Sequence, residues 1–302
     1  MRPLAPPIAI AVALLVFAVE GCGDDSGSSG GPAVVATTTQ VADLVRQVGG
    51  DRVSVDGLLR PGGDPHDYEP RPSDVAAVAK AQLVFRSGGE VDEWLGDVID
   101  NAGGDAEVVT LIESVDRVDD DPHWWQDPRN AERALETIRG RLSTLDAGGR
   151  AAYRRNAAKA IGALRRLDRR ISACVDRVPP SKRKIVTTHD ALGYFARRYG
   201  IEVVGAVIPS LSTQAQASAG DVERLVEQIR REGVEAVFPE SSVNPDIERA
   251  IAREAGATIG DSLYADSLGP AGSAGESYAG ALAADARALV RGMSGGRVDC
   301  RL

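Results

Sequence analysis

A long stretch without any strand pattern, Pro128 to Val175, divides the 302-residue chain into two parts. The second half of this stretch predicts one helix with a length of roughly 40 Å, the scale of a whole domain. Its apolar residues recur at spacings of three and four, which places them in a single stripe along the helix. They are Tyr153, Ala157, Ile161, Leu164, Leu167, Ile171 and Val175. The stretch therefore predicts a rigid helix that connects two folding units.

Strand and helix patterns alternate on both sides of this helix. On the first side, a strand from Ala33 to Thr37 precedes a helix, and a later helix has Ser73 as its predicted N-cap. On the second side, Pro179-Pro180 ends the long helix and KIVTTH predicts a strand. This alternation is typical of α/β folds with mainly parallel sheets.

We therefore predict two α/β lobes with mainly parallel sheets, joined by one long rigid helix. The predicted boundaries are 33–145 for the N-terminal lobe, 146–178 for the linking helix and 179–302 for the C-terminal lobe. Ligands of such sheets gather at the carboxyl ends of the strands, so the loops that follow the strands are where a site is expected.

The amino-terminal residues resemble an export signal. An apolar run from Ile8 to Val19 is too short to span a bilayer comfortably and suits the core of a signal peptide. Gly21-Cys22 then resembles a bacterial lipoprotein processing site, so residues 1–22 are predicted to be a signal peptide with Cys22 as the lipidation candidate. Glu20 departs from that pattern, which leaves a plain secretory signal as the alternative. Residues 23–32, rich in Gly, Ser and Asp, predict a flexible tether.

The charge balance argues against one class of partner. Lys plus Arg number 35 and Asp plus Glu number 44, so the formal net charge is -9. Nucleic-acid binders usually carry the opposite balance or a marked basic patch. The Arg-rich face of the long helix is therefore interpreted as a solvated face, and no nucleic acid is expected as a partner.

Two cysteines remain besides Cys22. In an oxidising compartment, Cys174 and Cys300 are candidates for a disulfide. Two free thiols are the alternative, because the sequence does not give the distance between them.

The three histidines of the chain occupy equivalent places. His66 and His123 each follow Asp-Pro in a loop after a predicted strand, and His189 ends the strand KIVTTH. The carboxylates of Glu240 and Asp266 follow two further strands. Three neutral imidazoles and one carboxylate make a four-ligand set that suits zinc and similar ions. The pattern predicts one metal site with ligands from both lobes.

Four motifs, in order, carry a resemblance to a known family: PGGDPHDYEPRPSDV, DPHWWQDPRNA, THDALGYFARRYG and LYADSLGPAGSAGESY. From about Ala33 to Met293 the chain resembles the metal-binding solute-binding proteins of bacterial zinc and manganese ABC transporters. Proteins of that family have two α/β lobes bridged by a rigid long helix, with one metal ion buried in the cleft. By motif, the resemblance implies the metal ligands His66, His123, His189 and Asp266.

Four other carboxylates near these motifs need separate interpretations. Asp261 competes with Asp266 as the fourth ligand, but the family motif places the ligand before Ser-Leu-Gly. Glu240 is predicted to hydrogen-bond a ligand, with a structural carboxylate at a strand end as the alternative. Asp64 and Asp121, which begin the two Asp-Pro-His turns, are expected to brace their loops rather than to bind metal.

The donor set favours Zn²⁺ as the transported ion, because affinity at nitrogen-rich sites rises from manganese to zinc. Mn²⁺ or Fe²⁺ is the alternative, although manganese-preferring members of the family often have Glu where this chain has His189. Unlike many zinc-specific members, the chain has no His-rich loop before His123, only the acidic run at 119–121. That difference argues against a second capturing site and leaves the main site intact.

The resemblance also implies partners and a location. We expect an exported monomer, lipid-anchored at the cell surface or periplasmic, whose only membrane attachment is lipid. It would deliver metal to an ABC-transporter permease with a cytoplasmic ATPase, and loading by a metallochaperone is left open. A zinc-dependent hydrolase is the rival function. The absence of His-Glu-x-x-His and the candidate fourth ligand Asp266 argue against an enzyme.

Overall fold

The computed structural model describes residues 31–302. The predicted signal peptide, its lipidation candidate Cys22 and nearly all of the predicted tether lie outside the described residues. Within 31–302, no helix is both long enough and apolar enough to cross a membrane.

The first lobe is a four-stranded sheet with the strand order β2-β1-β3-β4. Each pairing in this sheet is parallel, as predicted. Its elements in chain order are β1 (Ala33–Ala36), α1 (Thr39–Gly49), β2 (Ser54–Gly57), α2 (Pro72–Lys80), β3 (Leu83–Arg86), α3 (Leu95–Ala102) and β4 (Glu107–Thr110).

Two helices follow, and the second lobe begins after them. The helices are α4 (Pro128–Leu145) and α5 (Arg150–Val175). The second sheet has the order β6-β5-β7-β8, again with parallel pairing throughout. Its elements are β5 (Lys184–His189), α6 (Gly193–Tyr199), β6 (Glu202–Ile208), α7 (Ala219–Glu232), β7 (Ala236–Phe238), α8 (Asp246–Ala255), β8 (Thr258–Ile259) and α9 (Tyr278–Met293).

The long helix α5 packs on both lobes through the predicted apolar stripe. Every residue of that stripe is buried, from Tyr153 to Val175. One continuous cluster of buried apolar side chains includes this stripe, Val34 of the first sheet and Ile185 of the second. Smaller clusters cover the other face of each sheet. Residues 31–302 therefore form one compact unit in which α5 holds the two sheets together.

One predicted helix boundary is wrong. The helix α2 begins at Pro72, so Ser73 lies inside its first turn instead of capping it. The cap residue is Arg71, whose backbone N–H donates to Asp74 Oδ2 at 2.7 Å. Proline at the first helical position fixes the start, because its ring presets the helical φ and it lacks an N–H to satisfy.

The carboxyl terminus is fastened to the end of α5. Cys174, in the last turn of that helix, forms a disulfide with Cys300, and the two Cα atoms lie 5.9 Å apart. Arg170 and Arg177 donate to the backbone carbonyl oxygens of Arg301 and Asp299, at 2.6 and 2.7 Å. The final residues of the chain are therefore held against the long helix.

Candidate metal centre

Four buried side chains meet where the carboxyl ends of both sheets face each other. His66 lies in the loop after β2, and His123 lies between β4 and α4. His189 is the last residue of β5, and Asp266 follows β8. All four are buried, and His66, the most exposed, keeps 8% of its surface accessible. The structure thus brings together the four residues that the sequence predicted as ligands.

These four side chains form a small cage, in which the distances from Asp266 to the three histidines are close to those of a tetrahedral metal site. One potential ligand atom from each residue lies within 4.8 Å of all the others. Asp266 Oδ2 is 3.1 Å from His189 Nε2 and 3.4 Å from His66 Nε2. Asp266 Oδ1 is 3.5 Å from His123 Nε2. Tetrahedral bonds of about 2.0–2.1 Å, as in zinc sites, place neighbouring donors about 3.3–3.4 Å apart. The cage therefore has the dimensions of a metal site.

Two carboxylates set the orientation of two of the imidazole rings. His123 Nδ1 lies 2.7 Å from Asp121 Oδ1, and His189 Nδ1 lies 2.6 Å from Glu240 Oε1. An imidazole Nδ1 that donates to a carboxylate leaves the lone pair of a neutral ring on Nε2. Both Nε2 atoms consequently point into the cage.

The Nε2 atoms of His123 and His189 face each other at 3.3 Å. Two lone pairs at this distance repel, so a positive charge is needed between the rings or on one of them. His66 Nε2 and both carboxylate oxygens of Asp266 are buried without a hydrogen-bond partner among the described residues. Buried polar atoms are almost always paired in proteins. A cation bound in the cage would satisfy all of these atoms together.

The pKa values show that the cage favours positive charge. Burial alone would lower the pKa of His189, but Asp266 and Glu240 outweigh burial and hold that pKa well above its ordinary value. Burial would raise the pKa of Asp266, but His189 and His123 hold it well below its usual range. A proton on His189 and a metal ion are therefore alternative ways to balance the buried carboxylate.

Comparison with known proteins gives the family. Residues 34–292 match the family described as zinc-uptake complex component A, periplasmic (ZnuA). The chain belongs to the ZnuA family. The matched residues include all four members of the cage and Glu240.

Relatives and solved structures agree with this membership of the ZnuA family. The manganese-binding lipoprotein MntA of Halalkalibacterium halodurans is 30% identical over 293 residues, which cover 94% of this chain and 97% of the relative. The metal ABC transporter substrate-binding lipoprotein FimA of Streptococcus parasanguinis is 29% identical, with 92% and 94% covered. The periplasmic zinc-binding protein TroA from Treponema pallidum superposes with a TM-score of 0.81 at 28% identity, covering 88% of this chain and all of that one. The chain is thus a metal-binding, substrate-binding protein of the ABC-transporter class.

The same backbone hydrogen bond occurs in each of the two Asp-Pro-His turns of this ZnuA-family chain. Asp64 Oδ1 accepts from the His66 N–H at 2.9 Å, and Asp121 Oδ1 accepts from the His123 N–H at the same distance. Asp64 also accepts from the hydroxyl of Thr213, which belongs to the second lobe, at 2.7 Å. Both aspartates fix histidine-bearing loops and lie outside the cage, as the sequence predicted.

The loop that carries Asp266 is tied to the first lobe on both sides of this residue. Trp125 Nε1 and Gln126 Nε2 both donate to the Ala265 carbonyl at 2.8 Å. On the other side, the Leu268 N–H donates to Thr39 Oγ1 at 2.8 Å. The loop follows a parallel bridge between Glu240 and Leu263, which lies at the carboxyl end of the second sheet. Asp266 is therefore positioned by both lobes.

Asp261 is not part of the cage. Its side chain is 67% exposed and lies 3.7 Å from Arg291. Asp119 and Asp120 are exposed residues of the acidic loop, as expected for a solvated segment. Of the acidic run, only Asp121 reaches the site, through the ring of His123.

Sequence reasoning missed the side chains that fix the site from a distance. Thr39 and Gln126 hold the Asp266 loop, and Gln214 Nε2 donates to the His66 carbonyl at 2.6 Å. These polar residues have no distinctive pattern in the sequence. One weak signal was available, because Trp-Trp-Gln directly follows the second Asp-Pro-His turn.

Proposed function

We propose that this protein captures Zn²⁺ between its lobes, using His66, His123, His189 and Asp266, and delivers it to a membrane permease. The observation that carries this proposal is the cage, in which Asp266 lies 3.1–3.5 Å from the three histidines, separations that suit metal bonds of about 2.0 Å. The two ring-orienting carboxylates add support, because ligand histidines usually donate their second nitrogen to such a partner.

The preference for zinc rests on the donor atoms. Three imidazole nitrogens and one carboxylate bind Zn²⁺ more strongly than Mn²⁺ in the usual order of affinities. Mn²⁺ is the second candidate, for two reasons. The relative MntA is named as manganese-binding, and both oxygens of Asp266 face the cage, which suits an ion with more oxygen ligands.

The proposed role is capture and not catalysis. A catalytic zinc keeps one coordination position for water or substrate, whereas the cage supplies four protein ligands around one point. All four are buried, which supports a role in holding the ion away from solvent. Esterase turnover by the zinc-loaded protein that disappears on metal removal would instead favour a hydrolase.

We also propose the setting in which capture takes place. The names of the relatives, lipoproteins and periplasmic binding proteins, support an exported protein anchored through lipid on Cys22 or free in the periplasm. The partners are then a permease and its ATPase in the cytoplasmic membrane. Labelling with a radioactive fatty acid, compared between the wild type and Cys22→Ser, tests the anchor.

A chelator-competition titration of the metal-free protein with zinc and manganese at neutral pH tests the central proposal. We expect one tightly bound zinc per chain and far weaker manganese. Asp266→Asn should reduce zinc affinity by more than about a hundredfold, because it removes the only anionic ligand. Asp261→Asn is the matched control and should leave the affinity unchanged. Equal affinity for manganese would reassign the protein to manganese uptake.

A further inference from the structure

We propose that the exposed basic face of α5 docks on an anionic lipid bilayer and orients the protein on the membrane. This inference rests on the membrane location within the proposed function, and not on the identity of the metal.

The charge of α5 is opposite to that of the chain. The helix has a single acidic residue, Asp168, in a protein with a formal net charge of -9. All of its basic residues are exposed. They are Arg150, Arg154, Arg155, Lys159, Arg165, Arg166, Arg169 and Arg170. Eight of the 35 Lys and Arg residues of the chain therefore lie on this one helix, and the single carboxylate of the helix is buried.

The spacing of these residues is unfavourable for an ordinary solvated helix. Like charges at positions i and i+4 destabilise a helix, and solvated faces usually alternate charges of opposite sign. Here Arg155 and Lys159 form such a like-charged pair, and so do Arg166 and Arg170. A binding partner with negative charge would relieve this repulsion.

Three basic residues of this face have no counter-ion among the described residues. Within residues 31–302, no carboxylate lies within ion-pair distance of Arg155, Lys159 or Arg166. Arg165 is different, since it contacts Glu132 of α4 at 2.8 Å. Arg155, Lys159 and Arg166 are therefore available to an anionic partner.

The described chain begins beside the same helix. A side chain on Gly31 would collide with the carbonyl oxygen of Arg52. The Arg52 guanidinium in turn lies 2.8 Å from Asp146, which also accepts from the hydroxyl of Tyr153 on α5 at 2.7 Å. A lipid on Cys22 would therefore hold the membrane within roughly 30 Å of Gly31, the greatest span of the intervening residues.

Charge complementarity selects an anionic bilayer as the occupant. Basic residues in a cluster are attracted to anionic lipid surfaces, by roughly a fivefold gain in partition for each residue. The rest of this acidic protein carries a net negative charge, so the α5 face is the side that such a surface attracts. The helix spans roughly 40 Å, so it would set the orientation of both lobes together.

Lysine labelling on vesicles tests the proposal with the full-length protein. The protein is reconstituted with phosphatidylcholine vesicles, with and without phosphatidylglycerol, and acetylated briefly. Lys159 lies within the basic face, whereas the exposed Lys80 ends α2 on the opposite side of the first sheet. We expect severalfold slower labelling of Lys159 on anionic vesicles only, lost in high salt, with Lys80 unchanged.

Paired variants provide the control. Arg155→Gln with Arg166→Gln should restore fast labelling of Lys159, whereas Arg224→Gln with Arg231→Gln on α7 should not. These arginines are exposed, so folding is expected to persist and is checked by thermal unfolding.

Equal labelling of Lys159 on both vesicle types would overturn the proposal. Protection that requires the permease would also overturn it, by assigning the face to a protein partner. Zinc titration of the same samples tests metal capture separately.

Discussion

Asp121 holds His123 through a single oxygen that accepts two hydrogen bonds. Asp121 Oδ1 is 2.9 Å from the backbone nitrogen of His123 and 2.7 Å from its ring Nδ1. In the matching turn, Asp64 Oδ1 accepts from the backbone of His66 at 2.9 Å. The repeated tripeptide therefore produces the same turn twice. In the second turn, the aspartate also contacts the imidazole ring of its histidine.

This difference predicts unequal effects of the same substitution. Asp121→Asn should lower zinc affinity by roughly 10–100-fold, because the ring of His123 loses the anionic partner that orients it. Asp64→Asn is the matched control and should cost much less, since it preserves an acceptor for the His66 N–H. Chelator competition measures both. Equal losses would mean that the turns, and not the ring contact, determine the affinity.

The contact between Thr39 and the Asp266 loop leads to a second prediction. Thr39→Val keeps the shape of the side chain but removes the acceptor of the Leu268 N–H. A buried donor left unpaired costs about 1–3 kcal/mol, so urea unfolding should show a loss of this size. Metal should also dissociate faster, because the loop that positions Asp266 is loosened.

Thr144→Val serves as the control for this substitution, since its exposed hydroxyl donates only to the Gly140 carbonyl within α4. It should change neither the unfolding free energy by more than a few tenths of a kcal/mol nor the rate of metal release. If Thr39→Val loses stability but releases metal at the normal rate, the loop does not control release.

Acidification is expected to weaken metal binding, beginning above the ordinary imidazole pKa of about 6.5. Burial opposes the shift, but Asp266 and Glu240 raise the pKa of His189, so a proton must leave this ring before metal binds. Calorimetry in buffers of different ionisation enthalpy should detect about one proton released per ion near neutral pH. Metal binding without any proton release would show that His189 is already neutral.

Asp285 of α9 should make the free energy of unfolding depend on pH. Burial raises the pKa of its carboxyl to about 7, although the N–H of Tyr264 donates to it at 2.8 Å. The folded state therefore holds a proton that the unfolded state loses near its ordinary pKa of about 4. Stability should fall as pH rises through this range towards 7 and then level off.

Asp285→Asn removes this effect while keeping an oxygen for the Tyr264 N–H. The variant should be more stable than the wild type at pH 8, with a smaller difference at pH 5, in urea unfolding of the metal-free protein. The same difference at both pH values would mean that Asp285 is ionised throughout this range.

The sequence predicted the architecture because its signals are local. The apolar stripe of α5 and the alternation of strands with helices each follow from neighbours within a few turns of chain. The four cage residues could also be predicted from the sequence, since each is a histidine or a carboxylate in a distinctive motif at a strand end. The Ser73 cap was wrong because Pro72 and the Arg71–Asp74 contact determine where α2 begins.

The supports of the site were not predictable in this way. Thr39 and Leu268 are 229 residues apart, and Gln214 and His66 are 148 residues apart. Such contacts depend on how the two lobes are placed against each other, which no local pattern specifies. The raised pKa of Asp285 has the same origin, because it depends on complete burial and not on neighbouring residues in the sequence.

The disulfide between Cys174 and Cys300 closes a loop over a sequence separation of 126. Cytosolic reductants keep such cysteines as thiols, so in an exported protein the bond would form only after export. Closing a loop of this size stabilises a folded chain by about 5 kcal/mol in the chain-entropy description. The newly made chain is therefore easier to keep unfolded for translocation than the mature one. In an exported protein, the disulfide would therefore add its stability only after the chain has crossed the membrane.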